Sequence, residues 1–464
     1  MVFPSFEFAF FFPVVLALSW ALMPHPRAWK PSVLAASYLF YAAASPRYCL
    51  LLAGLTLANQ LGAVLVHRAP DERTKKRIVT AMVAVDLGVL GVFKYYGFFV
   101  DEFGRLLDSI GLGMPLPLLT LALPIGLSFI TFQAISYVVD VKRGLLPPAS
   151  TLDFGLYLSF FPHVVAGPIV RAREFIPQLA KPRDPRDVAV GAAVVLIALG
   201  LVKKVAIADY LAREVVDPVF GVPEAYAAPD VALAAYAYAA QIYCDFSGYT
   251  DIAIGVALLM GFVFPQNFNS PYRATSFRDF WRRWHMTLSR FLRDFLYIPL
   301  GGNRDGKWKT TRNLMITMTL GGLWHGAAWG FVLWGVLHGA CLVIERMLSG
   351  RVKAPPAWLR VAIVFNVVVF GWILFRTENL DLAGAFLSQL AEPGEATLWA
   401  PVTVAAVVAV IGFQLLPPDP LERLRLRVAE LPSYALGFGL AAVIALVGAT
   451  VPSQGVPPFI YFQF

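Results

Sequence analysis

Long apolar runs recur from one end of this chain to the other, and few folds are open to a chain built that way. They occupy 1–24, 31–45, 48–66, 78–99, 116–140, 188–208, 230–264, 359–376, 399–416 and 433–451. A run of about 20 apolar residues matches the hydrocarbon thickness of a bilayer. There the backbone must satisfy its own hydrogen bonds, so each run reads as a helix. Composition agrees: 58% of residues are hydrophobic and only 15% charged, far from the balance of soluble domains. The expected fold class is all-α, a polytopic integral membrane helical bundle of about 10–12 transmembrane helices with re-entrant or interfacial helices besides. No soluble domain boundary or low-complexity segment interrupts the pattern, so 1–464 is read as a single membrane-embedded domain.

The N-terminal "MVFPSFEFAFFFPVVLALSWALMP" carries Glu7 where a signal peptide would carry basic residues, and it reads as a retained first span. Basic segments stay on the cytoplasmic side. By that rule "HRAPDERTKKR", "RAREFIPQLAKPRDPR", "RATSFRDFWRRWH", "ERMLSGRVK" and "LERLRLR" lie inside, while the acid-rich segments 101–117, 209–229 and 377–398 lie outside. The alternation requires 153–170 and 313–345 each to leave and return on the cytoplasmic face. Both termini then come out on the external face.

The surplus of 38 basic over 30 acidic residues reflects this orientation and not nucleic-acid binding, for which no motif is visible. The expected surroundings are membrane lipids. Cys49, Cys244 and Cys341 are odd in number and far apart, which suggests neither a disulfide framework nor a metal cluster; packing is the plainer reading.

Within this apolar chain, "GGLWHGAAWGFVLWGVLHG" at 321–339 keeps two histidines. Residues 314–344 make about 47 Å of helix, too short to cross a core of about 30 Å twice and too long for one untilted crossing. A break or a tilt is required, and Gly321, Gly322, Gly326 and Gly330 are natural places for it. His325 then lies roughly 17 Å from Leu314, near mid-membrane. An ionisable group at that depth is by default a functional candidate; the plainer alternative is a neutral imidazole hydrogen-bonded between helices. On a continuous helix His338 points elsewhere and reads as packing. The thirteen-residue spacing is wrong for a helical metal pair, and no metal is expected.

Upstream, 276–304 reads "SFRDFWRRWHMTLSRFLRDFLYIPLGGNR". On a helical wheel Phe280, Trp281, Trp284, Leu288, Phe291, Leu292 and Phe295 share one face, and Arg278, Arg282, Arg283, Arg290 and Arg293 the opposite one. The expectation is a basic amphipathic helix at the cytoplasmic interface, either a surface anchor or a site for a phosphate-bearing ligand. His285 falls where the two faces meet.

The runs "QIYCDFSGYTDIAIGVALLMGF", "QNFNSPYRATSFRDFWRRWHMTLSRFLRDFLYIPLGGNR" and "NLMITMTLGGLWHGAAWGFVLWGVLHG", with the closing "PPFIYFQF", strongly resemble the membrane-bound O-acyltransferase family, in its bacterial alginate O-acetylation branch. The densest match covers 241–340, and the catalytic core is placed at about 241–345. The resemblance implies an acyltransferase in which His325 is catalytic and His285 is the second functional histidine. Donor contacts are expected from Arg282 and Arg283 and from the tryptophans beside the histidines, Trp284 and Trp324. It further implies no permanently bound cofactor, with acetyl-CoA or another acyl thioester as donor. The implied partners are a periplasmic or membrane-anchored SGNH-type acetyltransferase and a polysaccharide biosynthesis or secretion complex. A neutral imidazole is a suitable base for a hydroxyl attacking a thioester near neutral pH. Two competing readings stand beside this one: D-alanyl transfer from a carrier protein to teichoic acid, and a flippase for an acylated intermediate. The tail aromatics Phe459, Tyr461, Phe462 and Phe464 are expected either to anchor in the interface or, exposed, to dock an external partner.

Overall fold

The structure is a computed structural model that describes residues 1, 3–113, 121–165, 167–377, 379–450 and 459–460. All regular secondary structure among the described residues is helical. Five helices are individually long and apolar enough to cross a membrane: Arg47–Arg68, Val190–Gly221, Ala228–Leu259, Trp329–Leu348 and Ala357–Arg376. Two bent pairs, Glu72–Lys94 with Tyr96–Ser109 at 65° and Glu422–Ala429 with Ser433–Ala449 at 114°, pass the same test together. Shorter apolar helices such as Phe6–Leu22 and Pro401–Leu415 complete a polytopic membrane bundle. Contacts divide the chain into two units: Met1–Val188 with Val256–Phe264, and Ala189–Gly255 with Pro265–Phe464.

In the first unit the helix Leu127–Lys142 is buried along almost its whole length, against Arg47–Arg68 and Glu72–Lys94. The apolar run expected from 116 starts among residues 114–120, which lie outside the described ones. The segment 153–170 is no span. Its nine-residue helix Thr151–Ser159 breaks at Phe160 and continues as Phe161–Val164, and neither piece is long enough to cross a bilayer.

The second unit corrects two expectations. Residues from 209 were expected in an external loop, yet the helical path runs from Val190 to Gly221. Asp209 is buried with its Oδ1 2.7 Å from Lys204 Nζ, an ion pair that lets the helix carry a carboxylate away from water. The stretches Val202–Ala208 and Ala212–Val216 are π-helical. This packing is close, because a Cβ on Gly200 would lie 2.6 Å from the Gly248 carbonyl oxygen.

The expected amphipathic helix over 276–304 is also interrupted. It forms Phe277–Trp281, a turn, Met286–Leu292 and a π-helical stretch Arg293–Tyr297. The break is at His285, whose φ of 42° and ψ of 55° are left-handed. That conformation costs a non-glycine residue about 1–2 kcal/mol. The wheel nonetheless picked out the buried residues, since Phe280, Trp284, Leu288, Phe291 and Leu292 are all inside.

Residues 307–348 form an antiparallel hairpin. Lys307–His325 ends where Gly326–Ala328 turn the chain, and Trp329–Leu348 returns along it. Backbones touch at small residues: a Cβ on Gly322 would lie 2.2 Å from Phe331 O, and one on Gly335 2.4 Å from Met318 O. The break anticipated among four glycines falls at Gly326.

Candidate active site

His285 sits at the kink with its side chain fully buried. Its Nδ1 is 3.1 Å from Oδ1 of Asn267. The same Oδ1 accepts the backbone N–H of Thr287 at 3.1 Å and the Thr287 hydroxyl at 2.9 Å. A backbone N–H can only donate, so this oxygen is an acceptor and Nδ1 of His285 carries the proton. The neutral ring therefore keeps its lone pair on Nε2, which is buried without a hydrogen-bond partner. Backbone bonds hold the kink to the same segment, with Met286 N–H donating to Asn267 O and Asn269 N–H to Arg283 O, each at 2.9 Å. Phe246 stands edge-on to the imidazole at 4.6 Å.

His325 ends the first arm of the hairpin and is buried. Three rings surround it, Trp324 at 5.0 Å, Trp334 at 5.2 Å and Phe375 at 5.2 Å. Trp324 also lies 6.3 Å from His285, so the two histidines face a common indole. The third, His338, is fully buried against Trp334 at 4.8 Å, Trp281 at 5.1 Å and Phe280 at 5.9 Å. Neither of its nitrogens has a hydrogen-bond partner, which fits packing. Because the hairpin is broken, Trp334 touches both His325 and His338, an arrangement a continuous helix would have forbidden.

The other residues expected in the site are distributed less evenly. Trp284 is enclosed by Trp372 at 4.8 Å, Phe268 at 5.0 Å and Phe280 at 5.9 Å, within an aromatic core. Arg282 is exposed at the end of Phe277–Trp281. Arg283 is half-buried and committed to Asp279 Oδ1 at 2.9 Å and Asn269 O at 3.2 Å. Among the described residues no cluster of three or more metal-ligating side chains occurs. Sequence reading missed Asn267, Phe246, Trp334 and Phe375; Asn267 is one of three amides, with Gln266 and Asn269, in the polar stretch "FPQNFN".

The family model of the MBOAT, membrane-bound O-acyltransferase family, matches residues 141–380, and it takes in both histidines and the whole hairpin. A "Probable alginate O-acetylase AlgI" of Azotobacter vinelandii is 38% identical over the full length of both chains. The chain belongs to the membrane-bound O-acyltransferase family. A second "Probable alginate O-acetylase AlgI", from Pseudomonas aeruginosa, is 44% identical over 82% of this chain and 73% of its own. A "Peptidoglycan O-acetyltransferase" of Helicobacter pylori is 36% identical over 82% of this chain and 77% of its own. As a member of the alginate O-acetylase-like branch of this family, the chain is an O-acyltransferase.

The tail differs from expectation. Phe459 and Ile460 are buried, not exposed: the Ile460 N–H donates to Asp245 Oδ2 at 3.0 Å, and the Phe459 ring lies 4.6 Å from Tyr249. Tyr461, Phe462 and Phe464 lie outside the described residues.

Proposed function

We propose that this O-acyltransferase moves an acetyl group from a cytoplasmic thioester, acetyl-CoA or a similar acyl thioester, to an acceptor on the periplasmic side that feeds an exported polysaccharide such as alginate. The observation that carries the reading is the pair of buried imidazoles facing Trp324, one of them with its Nε2 lone pair fixed by Asn267. His325 serves as general base. It takes the proton of the attacking hydroxyl as the new ester C–O bond forms; the C–S bond breaks, and the thiolate leaves to be protonated in turn. His285 accepts a hydrogen bond at Nε2 and orients the donor. In its neutral form it has no proton there for an oxyanion, so the orienting role suits it better than oxyanion stabilisation. The fixed tautomer also favours a second reading in which His285 is the base and His325 the assistant.

Arg282, exposed beside the kink, receives a donor phosphate, with Arg283 bracing the turn. The names of the relatives favour acetyl over D-alanyl transfer. The Lys and Arg distribution supports an inner-membrane protein with both termini periplasmic, and the acceptor is then an SGNH-type partner or a carried glycan. The test is reconstitution in liposomes with acetyl-CoA inside and the neighbouring acetyltransferase outside, followed by mass spectrometry for acetyl esters. An ester that forms only with D-alanyl carrier protein, or movement of a lipid-linked intermediate without ester formation, overturns the reading.

A further inference from the structure

Three charged side chains are buried together in the second unit. Lys204 Nζ lies 2.7 Å from Asp209 Oδ1 and 2.6 Å from Asp245 Oδ1, and all three residues are almost wholly enclosed. Two carboxylates share one ammonium. Buried charge is tolerated only where hydrogen bonds complete it, and the second oxygen of Asp245 is completed by the backbone N–H of Ile460 at 3.0 Å. The tail is thereby tied to the helix Ala228–Leu259 at the turn that carries Phe246 and Tyr249. Phe459 packs on Tyr249 at 4.6 Å and on Phe246 at 5.5 Å, and Phe246 is the ring set edge-on to His285. An unbroken line of contacts runs from the ion cluster through the tail to one wall of the His285 pocket.

We propose that Asp245, braced by Lys204, is a positioning residue for acyl transfer: it seats the Ile460 amide so that Phe459 closes behind Phe246 and fixes the ring that walls His285. The role rests on the reading that His285 takes part in the reaction. Nothing in it requires the tail to touch substrate.

The cleanest probe is Ile460→Pro, which deletes one N–H and leaves Asp245 in place. With the full-length enzyme in liposomes, Ile460→Pro and Asp245→Ala should each lower kcat about ten-fold, the effect of losing a hydrogen bond to a charged group. KM for acetyl-CoA should stay near wild type. The double variant should be no worse than either single one, because both remove the same contact. Asp245→Asn, which keeps an acceptor oxygen, should recover most of the rate. A second readout is independent of catalysis: in a chain otherwise free of cysteine, Phe459→Cys should react slowly with a membrane-permeant maleimide, and at least ten-fold faster once Asp245→Ala is added. Unchanged labelling overturns the latch, and it can be scored even if activity is lost. Faster labelling with wild-type kcat overturns the positioning role. Wild-type activity of His285→Ala overturns the underlying reading alone. Losses that multiply in the double variant show that Asp245 and Ile460 act separately and overturn the proposal.

Discussion

Asn267 fixes the protonation geometry of His285. Its Oδ1, already accepting from the Thr287 backbone, leaves Nδ1 no role but donor, and the Nε2 lone pair is presented inside the protein. Replacing Asn267 with Leu keeps the branching at Cγ and removes that acceptor. The imidazole is then free to change tautomer, and kcat should fall about 10- to 100-fold, equivalent to the roughly 1–3 kcal/mol of a buried hydrogen bond left unmade. The check is acyl-transfer rate beside detergent-extracted yield and thermal midpoint. A rate that falls only in proportion to folded protein would show Asn267 to be purely structural.

His325→Ala and His338→Ala separate chemistry from packing inside one hairpin. The first should cost about 10² to 10⁴ in rate, the usual worth of general acid–base help, with normal membrane insertion. Activity above about a tenth of wild type would remove His325 from the base role and move it to His285. His338 packs against the rings of Phe280, Trp281 and Trp334, so its truncation should lower the thermal midpoint by creating a cavity, at about 2 kcal/mol or more, and leave kcat of the folded protein near wild type.

The helices were legible because a bilayer forces helices on apolar runs; the glycines at 321, 322, 326 and 330 signalled a break without saying which of them, and the turn falls at Gly326. What the wheel over 276–304 saw was a period, and a period survives a kink. Phe280, Trp284, Leu288 and Phe291 are buried as the wheel assigns them, while the left-handed turn at His285 left no trace in the pattern. Asn267 was illegible for a different reason, since an amide beside Gln266 and Asn269 in an irregular segment has no spacing to single it out. The helical continuation past 208 was not legible, because charges such as Lys204 and Asp209 that find each other through a π-helical turn look in sequence like charges seeking water. The burial of Phe459 was not legible because its ring partner Phe246 is remote along the chain, beside the Asp245 that accepts from the Ile460 N–H 215 residues away.

The two neighbouring arginines should behave differently despite equal charge. Arg282 is exposed, and Arg282→Gln should raise the apparent KM for acetyl-CoA several-fold, more steeply at low salt, with little change in stability. Arg283 holds Asp279 and the Asn269 carbonyl, so Arg283→Gln should lower kcat and thermal stability together through the kink it braces. Steady-state kinetics at two ionic strengths tests both. Equal effects on KM would make the pair one phosphate site, and no effect on KM from either would leave the basic face as a membrane anchor.

Gly322 tests whether the hairpin delivers His325 to its place. A Cβ there would sit 2.2 Å from the Phe331 carbonyl oxygen, a backbone atom with no room to yield unless the two arms separate. Gly322→Ala adds one methyl group and touches no reacting atom. It should nevertheless cost about 1–3 kcal/mol in stability through overpacking. It should also lower kcat, because the arm that moves ends at His325 three residues on. Gly384→Ala is the control: nothing lies within 4 Å of its added Cβ, and helical alanine should be neutral or stabilising by roughly 0.5–1 kcal/mol. Thermal unfolding in detergent together with kcat separates the outcomes. If Gly322→Ala matches the control in both, the arms are not held by this contact and His325 is positioned by the rings of Trp324, Trp334 and Phe375 alone.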